Sequence, residues 1–164
     1  METVAVYSEN KVKTYGFRIE GELVLYRLTM APHEMDGLGS LFYNETNGIR
    51  FTWVLVQKRA SERLEIYLLV NQLWLPSVSA LLERSRADGI AFQRQATSGV
   101  ALISFHGPHF GDRYGIADTA LVTLDNRNVP ILVSGCSSAS VYIVVPDRHA
   151  KETADILAEV FETP

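Results

Sequence analysis

The sequence predicts an α+β fold built from two similar units, and three observations carry that prediction. From Val100 to Phe161, runs rich in β-branched residues alternate with stretches of helical apolar spacing, in the order β-α-β-β-α. From Leu23 to Ala96 the same reading gives β-α-β-β-α-β. Landmarks also recur between the two. Pro32-His33 matches Pro108-His109, Gly37-Leu38 matches Gly115-Ile116, and Ile49 matches Val129, at offsets of 76, 78 and 80 residues, the drift left by a loop insertion and a helix extension. Each copy therefore reads as a ferredoxin-like βαββαβ unit.

Taken in order, Thr3 to Tyr7 is a short β-prone run followed by the turn residues Ser8-Glu9-Asn10. Lys11 to Ile19 and Leu23 to Met30 read as strands meeting in a hairpin at Glu20-Gly21-Glu22. After the loop Ala31 to Gly37, a helix over Leu38 to Thr46 stops at Asn47-Gly48. Phe51 to Gln57 and Leu64 to Val70 are strands by their aromatic and β-branched content. Pro76 sits well in the first turn of a helix running from Leu75 to about Arg86. Ala91 to Gln95 is the next strand, and Thr97-Ser98-Gly99 is the linker to the second copy. There, Val100 to Phe105 is a strand and Gly115 opens a helix with Ile116, Ala120, Leu121 and Leu124 on one face. Strands Ile131 to Ser134 and Ser140 to Val145 follow, then the helix Ala150 to Phe161.

The second copy ends with Glu162-Thr163-Pro164, too short for its last strand, and a sheet lacking a strand exposes an unpaired edge. The chain has a spare strand at its start, so Thr3 to Tyr7 is expected to cross over and complete that sheet. The domains are then residues 20–98, and 1–19 plus 99–164.

Composition narrows the function. At 164 residues and 47% hydrophobic, the chain can bury a real core without metals or disulfides. A formal charge of −4, with cations gathered only in short groups such as Lys58-Arg59, argues against a nucleic-acid partner. No apolar run is long enough for a membrane span and no export signal opens the chain, which points to the cytoplasm and away from membranes. The single cysteine, Cys136, is expected to be a buried small hydrophobe.

Catalytic patterns are missing. Gly-x-Ser-x-Gly does not occur, and the serines from Ser134 to Ser140 have no nearby base. His33, His106, His109 and His149 lack metal-ligand spacing, so neither a metal nor a cofactor is expected. Gly37-Leu38-Gly39 fails as a dinucleotide loop because Phe42 stands where the third glycine belongs. No glycine-rich, lysine-bearing nucleotide site supports phosphoryl transfer, and the chain reads as non-catalytic.

What carries chemistry is the strand-to-helix loop of each copy. A helix N-terminus offers free N–H groups and a partial positive charge, which suits the carboxylate of an amino acid. Small residues there, Gly37 and Gly39 in one copy and Gly115 and Ala117 in the other, let a ligand approach the backbone. Asp36, Asp112, the Gln57 amide oxygen or main-chain carbonyls could accept from the amino group. The bland alternative is that the glycines form turns and the aspartates cap helices.

Gly115-Ile116-Ala117 at a helix start, Asn128-Val129 at its end, Ser134-Gly135-Cys136-Ser137-Ser138 between strands and Val141 to Val145 before an acidic helix resemble the second ACT domain of aspartokinases, over roughly residues 100 to 162. The first copy is similar to an ACT domain as well, with Gln57 where aspartokinase first ACT domains carry a glutamine. The resemblance implies two ferredoxin-like ACT domains, the first inserted within the second. It implies an amino-acid effector, lysine or threonine leading, held by His33, Glu34, Met35, Asp36, Gly37, Leu38, Gly39 and Gln57. The equivalent set is His109 to Ala117, including Asp112, Tyr114, Gly115, Ile116 and Ala117, with Asn128 and Ser134. The sequence departs from the family pattern in having Asp36 and Tyr114 where a proline precedes the helix glycine, and Ser134 for the second glutamine; Tyr114 stands where it could fill the second pocket. A homodimer is implied, as is a regulatory part acting on a separate kinase subunit. A ligand-free dimerisation module is the alternative.

Overall fold

The computed structural model describes residues 11–45, 48–108, 110–137 and 139–163, which form a mixed α+β fold. The strands are β1 (Val12–Lys13), β2 (Phe17–Met30), β3 (Phe51–Lys58), β4 (Leu64–Asn71), β5 (Phe92–His106), β6 (Val133–Cys136), β7 (Ser140–Pro146) and β8 (Phe161–Glu162). The α-helices are α1 (Met35–Glu45), α2 (Leu75–Ala87), α3 (Ile116–Asn126) and α4 (Ala150–Val160). One six-stranded sheet and one two-stranded sheet are present among the described residues. The chain divides into two compact units, Gly21–Val100 and the remainder, with both divisions falling inside the long strands β2 and β5.

In the unit Gly21–Val100 the strand order is β3-β4-β2-β5. β4 pairs antiparallel with β2 on one side (Tyr26 opposite Leu68) and with β3 on the other (Val56 opposite Ile66). Because strand side chains alternate between faces, Val24, Tyr26, Leu28 and Met30 share a face with Ile66, Leu68 and Val70, and these pack with Leu38 of α1 and Val78 and Leu82 of α2. Full burial of each such side chain contributes about 1.5–3 kcal/mol. α2 is preceded by a 3₁₀ turn, Gln72–Trp74, capped where the Asn71 side chain accepts from the Leu73 N–H at 3.0 Å.

In the other unit the order is β2-β5-β7-β6. Ala101, Ile103 and Phe105 of β5 and Val141, Ile143 and Val145 of β7 form one buried face against Ile116, Ala120 and Leu124 of α3 and Ile156 and Leu157 of α4. Phe105 is the centre of an aromatic group, its ring 5.1 Å from Phe161, 5.2 Å from Phe17 and 5.9 Å from Phe110.

The structure corrects several expectations. No hairpin forms at Glu20-Gly21-Glu22 and no linker breaks the chain at Thr97-Ser98-Gly99; β2 and β5 run straight through. Each instead holds one left-handed residue, Glu22 at φ 56° and Gly99 at φ 69°, as at a bulge that bends a strand without ending it. β6 begins at Val133, two residues later than expected, because the ladder with β7 starts at the pair Val133 and Val144. α4 ends at Val160, and Phe161–Glu162 is a last strand after all, paired parallel with β1. The run Thr3 to Tyr7 lies outside the described residues. Beside the end of β5 lies the segment that leads into β2, where the Tyr15 N–H donates to the His106 carbonyl at 2.9 Å and Phe17 packs on Phe105. Cys136 is exposed, not buried, since it falls at the outer end of β6.

Candidate functional site

In the first copy the stretch read as a loop is a 3₁₀ turn, Pro32–Glu34, running directly into α1 at Met35. The helix therefore starts before Gly37, and in the turn ahead of it the Glu34 N–H donates to the Ala31 carbonyl at 3.1 Å and the Met35 N–H to the Pro32 carbonyl. Pro32 fits that first position because it has no N–H to lose. Met35, Asp36 and Gly39 line an open cavity of about 430 Å³ on the face of α1, together with Ser40, Tyr43 and Asn44. Asp36 lies in the first helical turn, where a carboxylate also favours the helix dipole.

Other expected residues have different places. His33 is exposed, with Nε2 3.4 Å from the Glu34 carboxylate. Leu38 is buried in the core, and Met35 packs against its edge. The two glycines differ: a Cβ at Gly37 would lie 3.3 Å from Ile90 Cδ1, so Gly37 lets the helix approach Ile90, whereas a Cβ at Gly39 meets nothing within 4 Å. Gln57 is half-buried on β3 opposite Glu65, and the α1 cavity is lined without it.

In the second copy Gly115 caps α3 in the left-handed conformation (φ 84°), and its carbonyl accepts from the Thr119 N–H at 2.8 Å. A glycine is needed at that φ. Ile116 is buried and Ala117 packs against the core, so neither side chain is offered to a ligand. Asp112 is exposed and Tyr114 fully so; Tyr114 fills no pocket. His109 lies outside the described residues. Asn128, also left-handed (φ 55°), closes the far end of α3 by donating its N–H to the Asp125 carbonyl at 2.9 Å. A helix of this length, at 1.5 Å per residue, separates Asn128 from Gly115 by roughly 16–20 Å. Ser134 is half-buried on β6 opposite Ile143.

A charged cluster went unread in the sequence. Glu65 on β4 is buried and holds two guanidiniums: Arg27 Nε donates to Oε1 at 3.1 Å and Arg59 Nε to Oε2 at 2.6 Å, with a second nitrogen of each arginine also on the carboxylate. The Tyr67 hydroxyl donates to Oε2 at 2.9 Å. Burial raises the Glu65 pKa, but the hydrogen bonds from Arg27, Arg59 and Tyr67 outweigh it and hold the carboxyl at about 2. Burial, then the bond to Glu65, pushes the Tyr67 phenol up. The visible signal was a glutamate inside the apolar run Leu64 to Val70, alongside an arginine inside the apolar run Leu23 to Met30. Among the described residues no group of His, Cys, Asp and Glu is placed to hold a metal ion, and no helix is long and apolar enough to cross a membrane.

No protein-family model and no curated protein matches the chain. Solved structures do. The regulatory subunit of aspartate kinase from Thermus thermophilus, in its ligand-free form, superimposes with a TM-score of 0.76 at 13% identity, covering 91% of this chain and 99% of that one. The regulatory subunit from Thermus flavus gives 0.78 at 12% identity, covering 90% and 98%. Aspartate kinase from Synechocystis gives 0.77 at 19%, covering 92% of this chain but 27% of the enzyme. The chain thus has the fold of aspartate kinase regulatory subunits.

Proposed function

We propose that this chain is a non-catalytic regulatory protein of the aspartokinase type, made of two ferredoxin-like ACT domains, residues 20–98 and residues 1–19 with 99–164. The observation that carries the reading is the likeness along nearly the whole of both chains to aspartate kinase regulatory subunits. The strand order β3-β4-β2-β5, produced by a β-α-β-β-α-β sequence of elements, supports the ferredoxin-like assignment of the first domain.

The effector is a small amino acid, lysine or threonine favoured. Its carboxylate meets the positive end of the α1 dipole, and Asp36 accepts from its ammonium group beside Gly39. The chain acts as a cytoplasmic homodimer on a separate kinase catalytic subunit, and the effector shifts the population of subunit arrangements by binding one of them better. Affinity in the metabolite range, about 1 μM to 1 mM, suffices for feedback. Calorimetric titration with single amino acids tests this: heat for one or two of them, lost in Asp36→Ala, supports the site, and a folded protein silent to all twenty refutes it.

A second reading, a ligand-free interaction module, is favoured by Val54 and Val56, which are 47% and 43% exposed on β3, at the end of the strand order. Silence in calorimetry together with a stable dimer would select it.

A further inference from the structure

A second cavity, of about 390 Å³, lies in the unit that holds α3 and α4, lined by residues that take no part in the α1 site. Its position follows from strand alternation. Phe17, Phe105, Val141 and Ile143 turn into the buried face, so Arg18, Ser104, His106, Ser140 and Tyr142 stand on the opposite face of the same strands. Tyr15 completes the lining, its ring 5.2 Å from that of His106.

The chemistry of this lining is specific. Two rings that lie outside the core, those of Tyr15 and His106, offer aromatic surface against which a flat ligand can lie, and Tyr142 lines the cavity with them. Beside them stand a guanidinium, which matches phosphate oxygens in a two-pronged geometry, and the hydroxyls of Ser104 and Ser140. Arg18 touches one carboxylate, that of Glu20 at 3.2 Å, and its side chain is 78% exposed. So exposed a pair is weak, and a phosphate dianion can compete for the guanidinium. The volume is in the range of small-molecule sites.

From this we infer that the cavity binds a small phosphomonoester carrying a flat ring, the chemistry of a nucleoside monophosphate. The cavity shares no residue with the amino-acid site above, and it stands or falls separately.

The test is an amide-resolved NMR titration of the full chain with adenosine 5′-monophosphate, adenosine and inorganic phosphate. Adenosine 5′-monophosphate is expected to move the amides of Ser104, His106 and Tyr142 with a Kd of about 1 mM or tighter, at least about tenfold below that of either fragment. Arg18→Ala is expected to reduce it to the level of adenosine, and Tyr15→Ala to the level of phosphate. Both side chains are largely exposed, so both variants fold. Equal binding of adenosine and its monophosphate, equal binding of phosphate alone, indifference to Arg18→Ala, or no shifts at these amides each overturns the assignment. Amino-acid titration of Arg18→Ala is expected to match the parent, which separates this result from the effector site.

Discussion

The Tyr67 hydroxyl donates to the Glu65 carboxylate at 2.9 Å from two positions along the same strand face, so β4 supplies both the buried charge and one of its donors. Arg27 from β2 and Arg59 from the β3–β4 turn complete the cage. Buried carboxylates persist only when paired, and the asymmetry of this cluster sets what each substitution does. Arg27 and Arg59 are 42% and 50% exposed and can turn to water, whereas Glu65 cannot. Glu65→Ala is expected to cost about 3 kcal/mol, and Arg27→Gln or Arg59→Gln about 1–2 kcal/mol each because the other guanidinium remains. The double arginine variant should cost more than the two singles together, since it leaves the carboxylate buried with one phenol. Urea denaturation of the four variants measures this, and additivity of the arginines would contradict the shared-carboxylate account.

The same cluster sets an acid limit. The carboxyl of Glu65 titrates near 4.5 when unfolded and about 2 when folded. Its stabilisation is therefore complete above pH 4.5 and is lost as pH falls toward 2, with a ceiling of about 3.5 kcal/mol at about 1.4 kcal/mol per pH unit. Stability followed from pH 6 down to about pH 2 should drop in the parent and drop less in Glu65→Gln, which has no proton to take up there. Parallel profiles would remove Glu65 from the explanation.

Much of this architecture was legible because it rests on local chemistry. Gly115, Pro76 and the β-branched run Ser140 to Val145 placed α3, α2 and β7 within a residue or two. What misled was punctuation. Gly21 and Gly99 read as chain breaks, yet their strands are held by neighbours on both sides, and one left-handed residue is absorbed without ending either. The candidate site was partly legible for the same reason. Asp36 and Gly39 share a helix face that i,i+3 spacing can find, whereas the packing of Gly37 on Ile90 and the meeting of Arg27, Arg59 and Glu65 join distant segments that one sequence does not connect.

Gly107 offers a test of how the chain's first described strand is held. Thr14 donates its N–H to the Glu162 carbonyl at 2.8 Å, and Tyr15 donates to His106 at 2.9 Å, so β1 and its continuation thread between β8 and the end of β5. At the crossing, a Cβ on Gly107 would overlap the Lys13 carbonyl oxygen and sit 2.6 Å from Phe110 Cε1. The first obstacle is backbone and cannot rotate away. Gly107→Ala is expected to cost about 1–3 kcal/mol and to speed hydrogen exchange at Thr14 and Tyr15 first. Unchanged exchange at those two amides would show that the crossing is not held there.

Gly39 and Gly37 separate packing from ligand binding on a single helix. Gly39 lies inside α1 at an ordinary helical φ with open space where a Cβ would go, so Gly39→Ala should stabilise by about 0.5–1 kcal/mol through helix propensity. The methyl is small, and the effector response should survive. Gly39→Leu projects a larger side chain at the cavity that Asp36 and Tyr43 line, and should abolish that response while the protein stays folded. Gly37→Val presses on Ile90 instead, so its first effect should be a lowered Tm with or without effector. Thermal shift with and without lysine or threonine reads all three. A parental effector response in Gly39→Leu would move the ligand away from α1, whatever Gly37→Val does.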